Sequence, residues 1–138
     1  MLKIFNYIPI TSYIMLVYFL VAYIPSLGLE FWSREMLNFT MLSQTNFQLS
    51  WGGAFIISSL IALYIEISFS ARSATNAIVN HVISLLLFIM GFALFLMVDK
   101  AATLEFLILV IIMLIDVAAG LTLSIRSAKS ASSMNDLS

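Results

Sequence analysis

The sequence predicts an all-α integral membrane protein, an antiparallel bundle of four transmembrane helices with a short interfacial helix in its first outer loop. Of its 138 residues, 62% are hydrophobic and only 9% are charged, and the mean hydropathy is +1.10. Four apolar stretches each reach the length of about 20 residues that a helix needs to cross the hydrocarbon core. These stretches are continuous, whereas the strands of a transmembrane barrel alternate in polarity.

The helices are expected within one transmembrane domain over residues 1–126. The four spans are predicted near 4–27, 51–70, 76–98 and 101–125. The later links are so short that helices two, three and four should be antiparallel neighbours. Residues 127–138 are small and polar, and we expect them to form a mobile cytoplasmic tail.

The first helix is bracketed by prolines. Pro9 should stiffen its start, and Pro25 marks where it stops, since proline cannot continue a helix. The helix begins as a secretory signal does, but no small-residue cleavage site follows. We therefore expect it to be retained.

Basic residues near the helix ends predict the orientation. Four of them flank one side of the membrane and two flank the other, namely Lys3, Arg72, Arg126 and Lys129 against Arg34 and Lys100. Because cytoplasmic loops carry the excess of Lys and Arg, both termini are expected in the cytoplasm.

The first outer loop mixes large apolar side chains with charges at close to helical spacing over residues 29–39. This pattern predicts a short helix lying in the outer interface. One interpretation of Trp32 and Trp51, which bracket the loop, is an ordinary aromatic belt. The other is a surface that docks a partner subunit, formed by Phe31, Trp32, Met36 and Phe39.

Ionisable side chains at membrane depth are costly, so each calls for a partner or a role. Glu66, His81 and Asp116 belong to helices two, three and four, roughly 6, 8 and 14 Å from their cytoplasmic ends. Glu66 repeats at seven-residue spacing with Ser59 and Gly52, which defines one helix face. We expect an interior cluster of Glu66, Asn80, His81 and Asp116, with Arg72 near enough to pair with Glu66.

The residues leave the role of this cluster open. It could be interhelical glue, a proton or cation path, a site beside a bound lipid or quinone, or a site contributed to a larger complex. A metal site is disfavoured because no helix carries a Glu-x-x-His pair, and a b-type haem because His81 is the only histidine. No cofactor is expected beyond a bound lipid or quinone.

Composition excludes other classes of function. Six Lys and Arg against seven Asp and Glu are too few basic residues for nucleic-acid binding. Cysteine is absent, which excludes disulfides, thiolate nucleophiles and cysteine-ligated metals. Since no phosphate loop, nucleophile elbow or metalloprotease motif occurs either, we expect no catalytic residues and no enzyme activity.

Four short stretches carry a family resemblance, namely 66–72, 77–84, 102–106 and 116–120. Over about residues 66–138 the chain resembles small four-helix bacterial inner-membrane proteins of unknown function. This resemblance implies a bacterial inner membrane and brings no activity or substrate. The chain does not look like the small multidrug transporters, whose first helix carries an essential Glu that is missing here.

Two hypotheses about function follow. The first is a non-enzymatic accessory or structural subunit of a larger membrane complex, whose partners are the lipid bilayer and other membrane subunits or further copies of itself. The alternative is a proton- or cation-coupled transporter or channel subunit that uses the intramembrane Glu, His and Asp cluster.

Overall fold

A computed structural model of the protein describes residues 8–70 and 74–135. Within these ranges the fold is mostly helical, with four α-helices: α1 (Ile10–Tyr23), α2 (Trp51–Ser70), α3 (Ala74–Met97) and α4 (Leu104–Asn135). Between α1 and α2 lie a 3-10 helix (Leu29–Ser33) and an antiparallel hairpin of β1 (Glu35–Thr40) and β2 (Asn46–Ser50). A second 3-10 helix (Asp99–Ala101) connects α3 to α4.

Two of these helices are long and apolar enough to cross a membrane. The qualifying segments are the 19 residues Trp51–Phe69 of α2 and the 23 residues Leu104–Arg126 of α4. Over the described residues, the apolar stretches Ile10–Tyr23 of α1 and His81–Met97 of α3 are shorter. The predicted helical class is therefore confirmed, and membrane-length apolar helices are found at two of the four predicted positions.

The helix α4 is the common packing partner of the bundle. It packs along both α2 and α3, while α2 and α3 touch each other only slightly. Gly91 of α3 lies beside Met113, and Gly52 of α2 lies beside Glu105. These contacts make α3 antiparallel to α4, as predicted, and α2 parallel to α4. The main neighbour of α2 is thus α4 rather than α3.

The bounds of α1 follow from its two prolines. The helix begins directly after Pro9 and ends at Tyr23, inside the predicted range of 4–27, of which residues 4–7 lie outside the described part. Ile24 is already extended, as expected for a residue before proline. With 14 residues, α1 is about 21 Å long.

The outer loop differs from the prediction of a short interfacial helix. Only Leu29–Ser33 is helical, as a 3-10 helix, and the chain then enters the hairpin. In the hairpin Leu37 pairs with Leu49, and Phe39 pairs with Phe47. The prediction was wrong because apolar and polar residues alternate over 37–40 as in a strand, and their pairing partner lies further along the chain.

The end of α4 also differs from the prediction. The helix continues to Asn135, ten residues beyond the predicted end at 125, so residues 127–135 of the predicted polar tail are helical. Neither proline nor glycine follows Gly120, so no residue in this stretch interrupts the helix.

A cluster of aromatic rings forms the core at the hairpin end of the bundle. Tyr18 of α1 is fully buried and stacks parallel to Trp32, with ring centroids 5.3 Å apart. Its hydroxyl donates to the Lys100 carbonyl at 2.8 Å and bonds to Thr103 Oγ1 at 2.6 Å. Thr103 Oγ1 in turn accepts from the Phe106 N–H and caps α4. One tyrosine therefore joins α1 to the start of α4.

We expect Tyr18→Phe to lower the free energy of unfolding by about 1–3 kcal/mol, because it leaves buried polar partners without their hydrogen bond. The measurement is denaturant unfolding of the purified protein in detergent. The matched control is Tyr13→Phe, which removes a hydroxyl from a residue that is 39% exposed on the same helix. Equal stability of the two variants would contradict this assignment.

Candidate functional site

The antiparallel contact between α3 and α4 carries the main buried polar site. His81 and Ser84 lie three residues apart on one face of α3, and Asp116 and Gly120 lie four apart on one face of α4. All three polar side chains are buried, with exposed fractions of 8% for His81, 2% for Ser84 and 4% for Asp116.

Gly120 provides the space for the histidine ring. A Cβ atom at this position would overlap the His81 imidazole, so the ring lies directly against the backbone of α4. One turn earlier on α4, the Asp116 carboxyl group interacts electrostatically with His81 and lies near the Ser84 hydroxyl. The structure therefore brings His81 and Asp116 of the predicted cluster together.

Several polar atoms of this site lack partners. Over the described residues, both ring nitrogens of His81, Ser84 Oγ and Asp116 Oδ2 are buried without a hydrogen bond. Ser84 thus lies near Asp116 but outside hydrogen-bonding geometry. A buried polar group without a partner costs about 1–3 kcal/mol, and such groups in native proteins call for an explanation. We name His81, Ser84, Asp116 and Gly120 the α3–α4 polar site.

Glu66 lies at the same level of the bundle but bonds to α1. Because α2 and α4 run parallel from Gly52 and Glu105, Glu66 lies about 21 Å along α2, level with Ala119. Its Oε2 accepts the Thr11 N–H at 3.4 Å. This N–H belongs to the first turn of α1, where backbone donors have no partner within the helix. As predicted, Gly52, Ser59 and Glu66 share a buried face.

The opposite end of α1 meets a basic residue. The Lys100 ammonium donates to the Ala22 carbonyl at 3.2 Å and lies 4.2 Å from the centre of the Tyr23 ring. A carboxylate near the N-terminus of a helix and an ammonium near its C-terminus both interact favourably with the helix dipole. Glu66 and Lys100 thus hold α1 at its two ends.

Two predicted site residues cannot be placed. Arg72 lies outside the described residues, and so does the side chain of Asn80. Over the described residues, no three His, Cys, Asp or Glu side chains converge as metal ligands do. A shallow apolar groove of about 400 Å³ runs along α1 at the Lys100 end, lined by Leu16, Phe19, Leu20, Tyr23, Ile24 and Pro25.

The predicted docking residues of the outer loop separate into two groups. Trp32 is only 4% exposed and stacks on Tyr18, so it belongs to the core and not to an aromatic belt. Phe31 is half-buried against Trp51. Met36 and Phe39 are exposed on the hairpin, as the docking interpretation requires.

Sequence reasoning missed several residues that matter in the structure. The apolar hairpin face includes Leu37 and Phe47, and the strand-like alternation over 37–40 and 46–49 was the signal for them. No local signal marked Lys100 as the partner of the Ala22 carbonyl.

No family model, curated protein or solved structure matches this chain.

The close approach of His81 to Gly120 can be tested by adding one methyl group. We expect Gly120→Ala to lower the free energy of unfolding by about 1–3 kcal/mol, because the methyl group forces the ring to move. Gly91→Ala lies on the same interface but would meet only the flexible Met113 side chain, so a smaller effect is expected. Adding His81→Ala to Gly120→Ala should recover part of the loss in detergent unfolding. Equal losses for both glycine variants would contradict the assignment.

The role of Glu66 predicts a local effect on α1. Glu66→Leu removes the acceptor at the start of α1, a contribution of about 0.5–2 kcal/mol for a helix cap. Hydrogen exchange measured by mass spectrometry should become several-fold faster in α1 while α4 is unchanged. Glu66→Gln keeps an acceptor and should show a smaller change, and Glu30→Gln on the exposed 3-10 helix should show none. Unchanged exchange of α1 in Glu66→Leu would refute this role.

Proposed function

We propose that the protein is a non-enzymatic small integral membrane protein that serves as an accessory or structural subunit of a larger membrane complex. We place it in the cytoplasmic membrane of a bacterium, with both termini inside. The two helices of membrane length and the many exposed apolar side chains along α1 to α4 support the membrane location. The resemblance to small four-helix inner-membrane proteins supports the bacterial assignment.

The distribution of basic residues supports the orientation. Arg34 and Lys100 lie at the hairpin end of the bundle, and Arg126 and Lys129 follow the apolar part of α4 at the opposite end. The sequence adds Lys3 and Arg72 to the second group. An excess of Lys and Arg marks the cytoplasmic side, so the hairpin is placed outside.

The observation that carries the proposal is the apolar face of the hairpin. Strand alternation places Leu37, Phe39, Phe47 and Leu49 on one face, where the rings of Phe39 and Phe47 are 5.2 Å apart. The other face presents the polar side chains Asn38, Thr40, Asn46 and Gln48. Leu37, Phe39 and Phe47 are each more than 40% exposed. The hairpin is therefore amphipathic, and its apolar face is open.

The stability of such a hairpin indicates that this face is covered. A two-stranded hairpin alone is at best marginally stable in water and needs packing on an apolar face. No charged residue occurs between Met36 and Ser50, so the matching surface is apolar and uncharged. We assign it to another membrane subunit, since exposed apolar patches bounded by polar residues mark protein interfaces.

The attachment of the hairpin to the bundle supports a fixed docking surface. The strand β2 ends at Ser50 and α2 begins at Trp51, without an intervening linker. The Trp51 N–H donates to the Arg34 carbonyl at 3.0 Å and closes the base of the hairpin. A partner bound here is therefore held in a defined position relative to the spans.

The double variant Phe39→Gln with Phe47→Gln tests this docking surface. Mild detergent extraction from native membranes, followed by native mass spectrometry, should show the wild-type chain with other subunits and the variant as a free chain. The matched control is Asn38→Ala with Gln48→Ala, the neighbouring pair on the opposite face. The control should retain the complex.

Two outcomes would contradict the proposal at different points. If the Phe39 and Phe47 variant keeps the complex, the hairpin is not the docking surface. If the wild-type chain is extracted alone or only with copies of itself, the role as a subunit of a larger complex is refuted.

A further inference from the structure

We propose that His81 and Asp116 form a proton-binding pair between α3 and α4, which holds one exchangeable proton on the imidazole or on the carboxyl group. The proposal goes beyond the subunit role and does not depend on it, because the hairpin lies at the other end of the bundle. A pair of this kind is also what a proton-coupled role in the membrane would require.

The geometry carries the first step of the argument. The His81 ring lies on the backbone of Gly120, and Asp116 is one turn away on the same face of α4. Both side chains are more than nine-tenths buried. They interact electrostatically across the helix interface. Each is therefore placed to respond to the protonation state of the other.

The unpartnered atoms carry the second step. Both nitrogens of His81 and Oδ2 of Asp116 have no hydrogen-bond partner among the described residues. An interhelical bond that served only as glue would engage these atoms with the neighbouring helix. Among the described residues these atoms make no such bond, so a proton gained or lost here breaks no hydrogen bond to that part of the protein.

Transfer of the proton from Asp116 to His81 conserves the charge of the pair. When the carboxyl group gives up its proton, the O–H bond of Asp116 breaks and an N–H bond forms on His81. The neutral pair becomes an imidazolium and a carboxylate, so the net charge remains zero. Paired opposite charges are the form in which ionised groups are tolerated at membrane depth. Release of the proton to water leaves the pair with one negative charge.

The surrounding elements contribute few other titratable groups. From α2, Glu66 lies at this level and bonds to the Thr11 N–H. Between Ile10 and Tyr23, α1 holds no ionisable group except its tyrosines, and α3 holds none after His81. The next charged residue on α4 is Arg126, ten residues or about 15 Å beyond Asp116. Among the described residues, Asp116 is therefore the titratable group that lies closest to His81 on the facing helix.

The sequence offers a clean measurement because His81 is its only histidine. Protein labelled with ¹⁵N-histidine and embedded in lipid nanodiscs gives one imidazole to follow by NMR during a pH titration. We expect Asp116→Asn to move the titration midpoint of His81 to lower pH by about one unit, a tenfold loss of proton affinity. The carboxylate stabilises the imidazolium, and asparagine cannot. The control is Asp99→Asn, at an exposed position near the start of α4, which should leave the midpoint unchanged.

A second measurement keeps the test decisive if Asp116→Asn does not fold. In a background that carries both Asp99→Asn and Asp136→Asn, Asp116 is the only aspartate left in the sequence, so a ¹³C-aspartate label reports its carboxyl band in infrared spectroscopy. The carboxyl band of Asp116 and the imidazole signal of His81 should change with the same midpoint. Independent midpoints, an unshifted midpoint in folded Asp116→Asn, or a His81 signal that does not titrate would each overturn the proposal.

Discussion

Close packing of α4 against two other helices is the interaction on which the rest of the structure depends. At three positions in these interfaces one partner is a glycine, which has no side chain and leaves room for a side chain of the other helix. Gly52 of α2 lies against Glu105, Gly91 of α3 lies against Met113, and Gly120 of α4 lies against His81. Apolar side chains gain little by leaving lipid for a helix interface, so such contacts must come from shape. The glycines therefore make room for side chains of the neighbouring helices at these interfaces.

The helix α1 is held by a different means. It contains no glycine and is about 21 Å long, so it offers neither a close backbone contact nor full membrane length. Its position is determined at three points: the Thr11 N–H bonds to Glu66, the Tyr18 hydroxyl bonds to the Lys100 carbonyl, and the Ala22 carbonyl accepts from the Lys100 ammonium. Polar bonds from the other helices thus replace the packing that α1 lacks.

The parts of the fold that depend on local composition could be predicted from the sequence. The two membrane-length helices lie where continuous apolar runs predict them, and Pro9 and Pro25 bracket α1. The hairpin could not be recognised from residues 29–39 alone, because its stability comes from cross-strand pairs with residues 46–50. Trp32 was expected at a surface because tryptophan is common at membrane interfaces, whereas its actual position depends on stacking with Tyr18.

The same distinction applies to the α3–α4 polar site. The cost of ionisable groups in apolar helices indicated Glu66, His81 and Asp116 without any knowledge of contacts. Their partners are tertiary, so the sequence could not show that Glu66 bonds to α1 while His81 faces Asp116. The seven-residue repeat did identify the buried face of α2, because helical periodicity is itself a local property.

The junction of β2 and α2 makes the hairpin and the long apolar helix one mechanical unit. Ser50 ends the strand, and its Oγ accepts the Gly53 N–H in the first turn of the helix. The same residue therefore terminates a sheet ladder and caps a helix, and no flexible residue separates them. The orientation of the hairpin is therefore fixed relative to the axis of α2, and the same helix contacts the first turn of α1 through Glu66, near its far end.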